Sequence, residues 1–294
     1  MSILSKIKRG GESLPPRILL SGPEGIGKST FAANAPSPLF ISQEQGLTGL
    51  DHVARIAPES FSETMATVDE LTKDTGEFKT LVIDTTDWLE RSIHAFICKR
   101  DGMANIEAYG FGKGYKVAEL ELSTLLSKLD ALRERQKVGI ILLSHVQIKT
   151  FTQPGGEQWD RYEMKGHKGC TGILREWPDA CLFAVYEVFK SKNAGARTEK
   201  TIGGGRVIHT TWSPGWDAKN RLSLPETLDL SWDAFADAVE ANSPDKLRRQ
   251  YTELLKAAQM EAPVRAKWEA VKLETLSADR IRDGIAKLQK LQTK

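Results

Sequence analysis

Residues Gly22-Pro23-Glu24-Gly25-Ile26-Gly27-Lys28-Ser29 follow the pattern G-x-x-x-x-G-K-[ST] near the start of this 294-residue chain. The apolar segment 17–21 before them predicts a short buried strand, and residues 29–34 after them predict the first turns of a helix. Glycines let the backbone approach a ligand closely, and successive N–H groups in such a turn point at an anion. The stretch therefore predicts a phosphate-binding P-loop.

Each part of this pattern has an expected role toward a nucleotide. Lys28 should reach the β- and γ-phosphates of ATP, and the Ser29 hydroxyl should bind Mg²⁺. The start of the following helix adds a dipole that favours phosphate. The sequence thus predicts ATP and Mg²⁺ as ligands. The residues expected to contact the nucleotide are Gly22, Pro23, Glu24, Gly25, Ile26, Gly27, Lys28, Ser29 and Thr30.

Acidic residues follow two further apolar segments. Asp84 closes the apolar run 80–84, the Walker B arrangement, in which the carboxylate holds Mg²⁺ together with the P-loop hydroxyl of Ser29. Hydrolysis also needs a group that orients and deprotonates the attacking water. Glu44, after the predicted strand 39–42, and Asp87, after the predicted strand 80–84, are the two candidates.

The order of the apolar segments predicts an α/β fold. Continuous apolar runs separated by helical periodicity are typical of a mainly parallel sheet that is covered on both faces. In such sheets, ligands bind beyond the carboxyl ends of the strands, where the P-loop, Glu44, Asp84 and His145 all lie in this sequence. The expected organisation is a flexible lead-in over 1–14, an ATPase core over 15–241 and a basic helical region over 243–294.

Composition and charge set limits on location and partners. The net charge is +2, but residues 243–294 hold 12 basic and 7 acidic residues, a net charge of +5. Three cysteines without a C-x-x-C pair favour a reducing cytoplasm, and no apolar run has the roughly 20 residues that a membrane-spanning helix needs. We therefore expect a cytoplasmic protein without a membrane partner.

Segments 101–116 and 146–169 mix glycines, cations and aromatic rings. This composition suits single-stranded nucleic acid, because cations follow phosphates and rings stack on bases. A lid held by buried aromatic anchors is the alternative for each segment. The candidate DNA-binding residues are Tyr109, Phe111, Lys113, Lys149, Trp159, Arg161 and Lys165.

Taken in order, the motifs of residues 15–241 resemble those of the RecA-like P-loop (AAA-type) ATPases of bacteriophages, which include the Sak-type single-strand annealing proteins. The last 50 residues resemble no family that we can name. The stretches that carry the resemblance are GPEGIGKS (22–29), ISQEQGL (41–47), LVIDT (81–85), YGFGKGY (109–115), IILLSH (140–145), YEMKGHKG (162–169), REWPDACLF (175–183) and AKNRLSLP (218–225).

The resemblance implies a RecA-like core and further residue roles. It favours Glu44 over Asp87 as the catalytic base, and it implies that Ser144 or His145 senses the γ-phosphate. Residues Lys219-Asn220-Arg221 resemble the K-N-[KR] element, whose cations reach the γ-phosphate of a neighbouring subunit. The implied catalytic set is Lys28, Glu44, Asp84, His145, Lys219 and Arg221.

The resemblance also implies partners and a biological setting. It implies a DNA-stimulated ATPase that assembles into a ring or filament on single-stranded DNA, in phage recombination, annealing or repair within the host cytoplasm. A single-strand binding protein or other phage recombination proteins are the implied protein partners. The residues leave two other classes open, an ATP-driven assembly switch that binds a protein and a helicase-type motor.

Overall fold

The computed structural model describes residues 14–42, 50, 53–191, 200–258 and 262–292. The chain folds into two compact units. Residues 14–221 and 225–235 belong to the larger unit, and residues 222–224 and 236–292 to the smaller one. No helix of the described residues combines the length and apolar character needed to cross a membrane.

The first half of the larger unit alternates strands and helices. Ser60 shows how one helix begins, because its hydroxyl accepts a hydrogen bond from the amide of Glu63 and caps the helix N-terminus. The elements are β1 (Arg17–Gly22), α1 (Lys28–Ala33), β2 (Pro38–Ser42), β3 (Ala54–Ile56), α2 (Phe61–Lys73), β4 (Thr80–Asp84), α3 (Thr86–Arg100), a short 3-10 helix (Ile106–Tyr109) and α4 (Lys113–Gln136).

The second half of the unit adds strands that run in both directions. Its elements are β5 (Gly139–Thr152), β6 (Gln158–Met164), α5 (Lys168–Glu176), β7 (Ala180–Ser191), β8 (Lys200–His209), β9 (Lys219–Asn220) and β10 (Thr227–Asp229). Helix α6 (Trp232–Ala241) follows β10.

In the part of the chain that the structure describes, ten strands form a sheet in the order β10-β8-β7-β1-β5-β4-β2-β3, with β6 paired to β5 and β9 to β7. The pairs from β3 to β7 along this order are parallel, whereas β8 and β10 add antiparallel. The P-loop strand β1 is central, and β5 separates it from the Asp84 strand β4. This topology confirms the predicted α/β core with a mainly parallel sheet.

Helix α4 shows why the parallel strands are continuous apolar runs. Its buried leucines recur every three or four residues and pack against β4 and β5, whose core segments are themselves almost fully buried. Strands covered on both faces need apolar residues at every position. The buried leucines of α4 are Leu122, Leu125, Leu126, Leu129 and Leu132.

Two pairs of strands in the second half of the unit form antiparallel hairpins, which the composition of these segments does not indicate. Strand β5 continues past His145 to Thr152 and pairs with β6 from Val146 opposite Met164 to Thr152 opposite Gln158. Strands β7 and β8 likewise pair from Val188 opposite Gly203 to Ser191 opposite Lys200. Backbone pairing holds such hairpins, so they need no apolar run that a sequence pattern could reveal.

The glycine-rich segment 101–116 contains two helical stretches. Residues Ile106–Tyr109 form the 3-10 helix, and α4 begins at Lys113. Gly110, Phe111 and Gly112, which lie between these helices, have positive φ angles of 70°, 50° and 69°. Gly110 and Gly112 adopt positive φ angles without strain because they have no Cβ. Phe111 has a side chain and is nevertheless held in this conformation.

The smaller unit is helical, with α7 (Pro244–Ala257), α8 (Ala262–Glu269), a short 3-10 helix (Leu273–Thr275) and α9 (Ala278–Gln292). Ser243 caps α7 by accepting the amide of Lys246, as its sequence signal predicts. Gly284 of α9 lies so close to Tyr251 of α7 that a Cβ there would be 2.8 Å from the tyrosine ring. The buried core of this unit consists of Leu247, Tyr251, Leu255, Ala258, Ile281, Ile285 and Leu288.

Candidate nucleotide-binding site

Strand register brings the carboxyl ends of β1, β2, β4 and β5 to one edge of the sheet. Gly22 lies opposite His145, Ser42 lies opposite Asp84, and Asp84 lies opposite Leu143. The P-loop leaves β1 at this edge and enters α1. Glu44, the predicted base, lies outside the described residues.

A hydrogen bond joins the P-loop to the end of β4. The Ser29 hydroxyl donates to Oδ2 of Asp84 over 2.8 Å, and Asp84 is buried. A hydroxyl and a carboxylate oxygen are hard ligands of the kind that Mg²⁺ takes from proteins, with phosphates and waters completing its octahedron. This donor set therefore fits a magnesium ion that is bound together with a nucleotide.

Lys28 lies folded across the P-loop. Its Nζ donates to the carbonyl oxygens of Gly22 at 3.0 Å and Pro23 at 2.9 Å, and the residue is buried. The ammonium is thus held within the turn, which places a positive charge where the pattern expects phosphate.

The backbone of the P-loop has the conformation of an anion-binding turn. Gly25 and Gly27 have positive φ angles of 73° and 111°, and a Cβ at Gly22 would be 2.6 Å from the carbonyl oxygen of Ala184. The amides of Gly25, Ile26 and Gly27 donate no hydrogen bond within the described residues. Three successive amides in such a turn can bind phosphate oxygens, so the loop fits the predicted polyphosphate.

Asp87 and His145 form a buried pair beside this edge. The Nδ1 atom of His145 lies 3.2 and 3.3 Å from the two carboxylate oxygens of Asp87, and Thr85 donates its hydroxyl hydrogen to the same carboxylate over 2.6 Å. Burial alone would raise the pKa of Asp87, but the hydrogen bonds with His145 and Thr85 outweigh it and lower the pKa to about 2. Such a carboxylate is a poor proton acceptor at neutral pH, and its contacts hold the His145 ring in place.

One contact connects the P-loop to the residues that follow β6, and two others connect those residues to α3 and α4. Lys165 forms an ion pair of 2.5 Å with Glu24 of the P-loop, and the Glu90 carboxylate on α3 accepts the amide of His167 at 3.0 Å. Burial, together with the charge of Asp87, raises the pKa of Glu90 against the opposing effect of that amide. The ring of Tyr115 on α4 stacks on His167 at 4.0 Å and 11°.

The sequence analysis missed these pairings, although it noted most of the residues. Glu24 and Lys165 are 141 residues apart in the chain, and Glu90 and His167 are 77 apart. No spacing pattern links partners at such distances. The pairings depend on where the hairpin returns to the sheet.

The candidate DNA-binding residues of the first segment differ in exposure. Tyr109 is anchored, because its hydroxyl lies 2.7 Å from a carboxylate oxygen of Asp101 and 2.9 Å from the carbonyl oxygen of Ile97, two acceptors for its one hydrogen. Phe111 is fully exposed, and Lys113 beside it is also exposed. Only part of this segment can therefore contact a polymer without rearrangement.

The candidate residues of the second segment lie on the β5–β6 hairpin. The indole of Trp159 donates to the carbonyl oxygen of Pro214 at 2.9 Å, and the buried Arg161 pairs with Asp217 at 2.6 Å. These two side chains act as anchors, as in the alternative interpretation of the segment. Lys149 is half-exposed and 3.8 Å from Glu163, so it remains accessible.

The two cations of the Lys219-Asn220-Arg221 element have different surroundings. Lys219 donates to the carbonyl oxygens of Glu176 at 2.5 Å and Pro178 at 2.7 Å, just beyond the C-terminus of α5, and burial lowers its pKa. Arg221 is exposed, and its side chain forms no ion pair or hydrogen bond with the described residues. Lys219 thus stabilises a helix end, whereas Arg221 can extend toward another molecule.

A family model described as an AAA domain matches residues 14–222, which cover more than half of the chain. The chain belongs to this AAA-domain family. No curated protein sequence matches it significantly. A solved structure described as the RadB recombinase has 16% sequence identity, covers 68% of this chain and 82% of its own, and superposes with a TM-score of 0.39. Membership of the AAA-domain family and the P-loop geometry identify an AAA-type P-loop protein.

The Asp87–His145 pair leads to a prediction about acid stability. Because folding lowers the pKa of Asp87 from 3.8 to about 2, the folded protein gains stability above about pH 4 and loses this gain as the pH falls toward 2. Asp87→Asn should lower the free energy of unfolding by up to about 2 kcal/mol at pH 7, and by less at pH 3. Denaturant unfolding of both proteins at the two pH values measures this difference.

Asp69→Asn is the matched control, since Asp69 forms an ion pair with Lys128 but its side chain is half-exposed. Removal of an exposed ion pair should change the free energy of unfolding by less than about 1 kcal/mol at either pH. A difference between wild-type and Asp87→Asn proteins that stays constant from pH 7 to pH 3 would contradict the proposed low pKa.

Proposed function

We propose that this protein is a Mg²⁺-dependent ATPase that acts on single-stranded DNA. The observation that supports hydrolysis is the hydrogen bond between Ser29 and Asp84 at the mouth of a P-loop whose amides point at no partner among the described residues. In this proposal Lys28 and the loop amides bind the β- and γ-phosphates, and Ser29 and Asp84 hold Mg²⁺. The metal supplies neutralising charge for the transferring phosphoryl group when it is bound.

Glu44 is the proposed general base, and Asp87 is assigned a supporting role. A carboxylate with a pKa of about 2 accepts a proton from water too weakly to serve at neutral pH, and the Asp87 oxygens already contact His145 and Thr85. Glu44 comes two residues after the end of β2 in the sequence, and the last residue of β2, Ser42, lies opposite Asp84. Asp87 in this view positions His145, the proposed γ-phosphate sensor.

Arg221 is the proposed contact to the nucleotide of a neighbouring subunit. Its side chain is exposed at the end of β9, whereas the Lys219 ammonium is bound to carbonyl oxygens of its own subunit. An arginine supplied by a second subunit neutralises charge on the transferring phosphoryl group and couples hydrolysis to assembly. The proposal therefore includes self-assembly into a ring or filament.

The β5–β6 hairpin and the segment before α4 are the proposed DNA-binding elements. Phe111, Lys113 and Lys149 are exposed there and supply a ring for stacking and cations for phosphates. The Lys165–Glu24 ion pair joins the chain just beyond β6 to the P-loop, and the stacking of Tyr115 on His167 joins α4 to the same stretch of chain. With the resemblance to phage proteins, these features support a role in phage recombination, annealing or repair, alongside other phage recombination proteins in the host cytoplasm.

A second candidate is an ATP-driven assembly switch that binds a protein partner. Ile148 on the hairpin is 63% exposed, and Trp159 and Arg161 hold the hairpin rigid through Pro214 and Asp217. A rigid hairpin with an exposed aliphatic side chain suits a protein surface as well as a nucleic acid. Stimulation of ATP hydrolysis by single-stranded DNA favours the first function, and indifference to DNA favours the second.

The first test separates nucleotide binding from hydrolysis. Lys28→Ala should abolish binding of a fluorescent ATP analogue, because the loop loses its positive charge. Glu44→Gln should keep that binding and slow hydrolysis by about 10²–10⁴-fold, the usual contribution of a positioned base. Asp87→Asn should slow hydrolysis much less, and a larger loss with Asp87→Asn than with Glu44→Gln would assign the base to Asp87.

The second test compares the two cations of the Lys219-Asn220-Arg221 element. Lys219→Ala should lower the melting temperature, because carbonyl oxygens at the end of α5 lose their donor. Arg221→Ala should melt like the wild type but turn over ATP more slowly when assembled. Mixing Arg221→Ala with Lys28→Ala protein should restore part of the activity, and no recovery in confirmed mixed assemblies would exclude action between subunits.

The third test concerns DNA. Phe111→Ala should weaken binding of an oligothymidine about ten- to a hundredfold, because stacking contributes about 1–3 kcal/mol per base. Lys113→Ala should reduce the slope of log affinity against log salt by about 0.7, the contribution of one phosphate contact on a single strand. Fluorescence anisotropy with an ATP analogue at several salt concentrations measures both effects.

Leu120→Ala is the matched control for this test, since Leu120 lies on α4 and is 68% exposed, but outside the proposed surface. It should leave DNA binding unchanged. Absence of binding by the wild type at low salt would favour the protein-partner function. Binding that disappears only when residues 243–294 are removed would move the DNA contact to the basic helices.

A further inference from the structure

Residues of strands β7 and β8 contact the P-loop, and neither strand carries a residue of the proposed ATP-binding and hydrolysis site. Tyr186 of β7 and Arg206 of β8 are directly paired across the two strands. Nη1 of Arg206 donates to the carbonyl oxygen of Ile26 at 3.3 Å, and the Tyr186 hydroxyl lies 3.5 Å from the carbonyl oxygen of Gly25. Two side chains of one hairpin therefore contact two successive carbonyl groups of the phosphate-binding turn.

The approach of the guanidinium to the loop is close. A Cβ at Gly27 would be 2.9 Å from Nη1 of Arg206 and 3.7 Å from Leu230, and the φ angle of 111° at residue 27 favours glycine there. Leu230 in turn donates its amide to the carbonyl oxygen of Arg206 at 2.9 Å. The backbone of β8 is thereby held in place opposite the loop.

The contacts to the two carbonyl groups also determine where the N–H groups of the same peptides point. The C=O and N–H of one trans peptide lie in a plane and point in opposite directions. A donor that holds the Ile26 carbonyl toward β8 therefore turns the N–H of Gly27 away from β8, and a donor on the Gly25 carbonyl does the same for Ile26. These N–H groups are among those that donate no hydrogen bond within the described residues.

We propose that Arg206 is a positioning residue of the P-loop, which fixes the orientation of the Ile26–Gly27 peptide so that its amide faces the β-phosphate of a nucleoside di- or triphosphate. Tyr186 assists through the preceding peptide. This inference rests on the proposed ATP binding. The guanidinium also adds a positive charge beside the loop, and it acts on the enzyme backbone rather than on the reacting atoms.

If Arg206 positions the P-loop peptide, its loss should affect nucleotide binding more than the rate of turnover. A peptide held in the free enzyme serves the ground state and the transition state alike, so its loss should raise KM more than it lowers kcat. ATP and ADP should be affected equally, because both carry a β-phosphate. A Lys at this position keeps the charge and one donor, and should restore part of the affinity, whereas Met keeps only the length of the side chain.

The experiment measures affinities of fluorescent ATP and ADP analogues with Mg²⁺ for wild-type, Arg206→Met and Arg206→Lys proteins, together with kcat, KM and the melting temperature without nucleotide. Val188→Ala is the control, since Val188 lies on β7 and is 58% exposed. We expect Arg206→Met to weaken both analogues about tenfold, which corresponds to about 1.4 kcal/mol. Arg206→Lys should be intermediate, and Val188→Ala should equal the wild type.

Two outcomes would overturn the inference. One is that Arg206→Met, or Arg206→Lys if the Met variant does not fold, binds both analogues as tightly as Val188→Ala does. The other is a loss of affinity that follows a fall in melting temperature and is not restored by Lys. Failure of the wild type to bind either analogue would instead contradict the proposed function itself, so the two failures can be told apart.

Discussion

The hydrogen bond between Ser29 and Asp84 depends on the whole parallel sheet. Asp84 ends β4 and Ser29 lies in the turn that leaves β1, and these two strands do not pair with each other but both pair with β5. Asp84 lies opposite Leu143 of β5, and Gly22 lies opposite His145, two residues further along. A slip of one residue between β4 and β5 would turn Asp84 to the other face of the sheet, and a slip between β1 and β5 would shift the start of the P-loop relative to Asp84. The site therefore exists only when three strands are in register.

Strand β5 is the element that connects the site to the rest of the unit. Its first half is buried between β1 and β4, its centre carries His145, and its second half leaves the sheet to pair with β6. The same strand thus sets the register of the site and begins the hairpin. The chain returns from β6 at Lys165 and His167, which contact Glu24 and Glu90. The P-loop and the hairpin are therefore coupled through these few contacts, so a structural change in one alters the other.

The P-loop is restrained from more than one direction, by forces of different kinds. Lys165 contacts the side chain of Glu24 through an ion pair between groups that are partly exposed, and salt can screen such a pair. Arg206 instead contacts the backbone of Ile26, where the contact sets the direction of a peptide group. The first restraint can yield when the hairpin binds another molecule, whereas the second keeps the loop amides in one orientation. Together they allow the Glu24 side chain to move while the amides remain in place.

The sequence by itself determined the features that depend on interactions between residues close together in the chain. The P-loop glycines, the apolar strands and the leucine spacing of α4 follow from backbone freedom and burial, which short patterns record. The hairpins were not predictable, because backbone pairing holds them and their side chains carry little apolar signal. The partners of individual site residues also depended on tertiary structure, since Ile26 and Arg206 are 180 residues apart. Lys219 shows the same limit: its motif predicted a cation for a neighbouring phosphate, and only the position of α5 decided that its ammonium binds carbonyl oxygens within its own subunit.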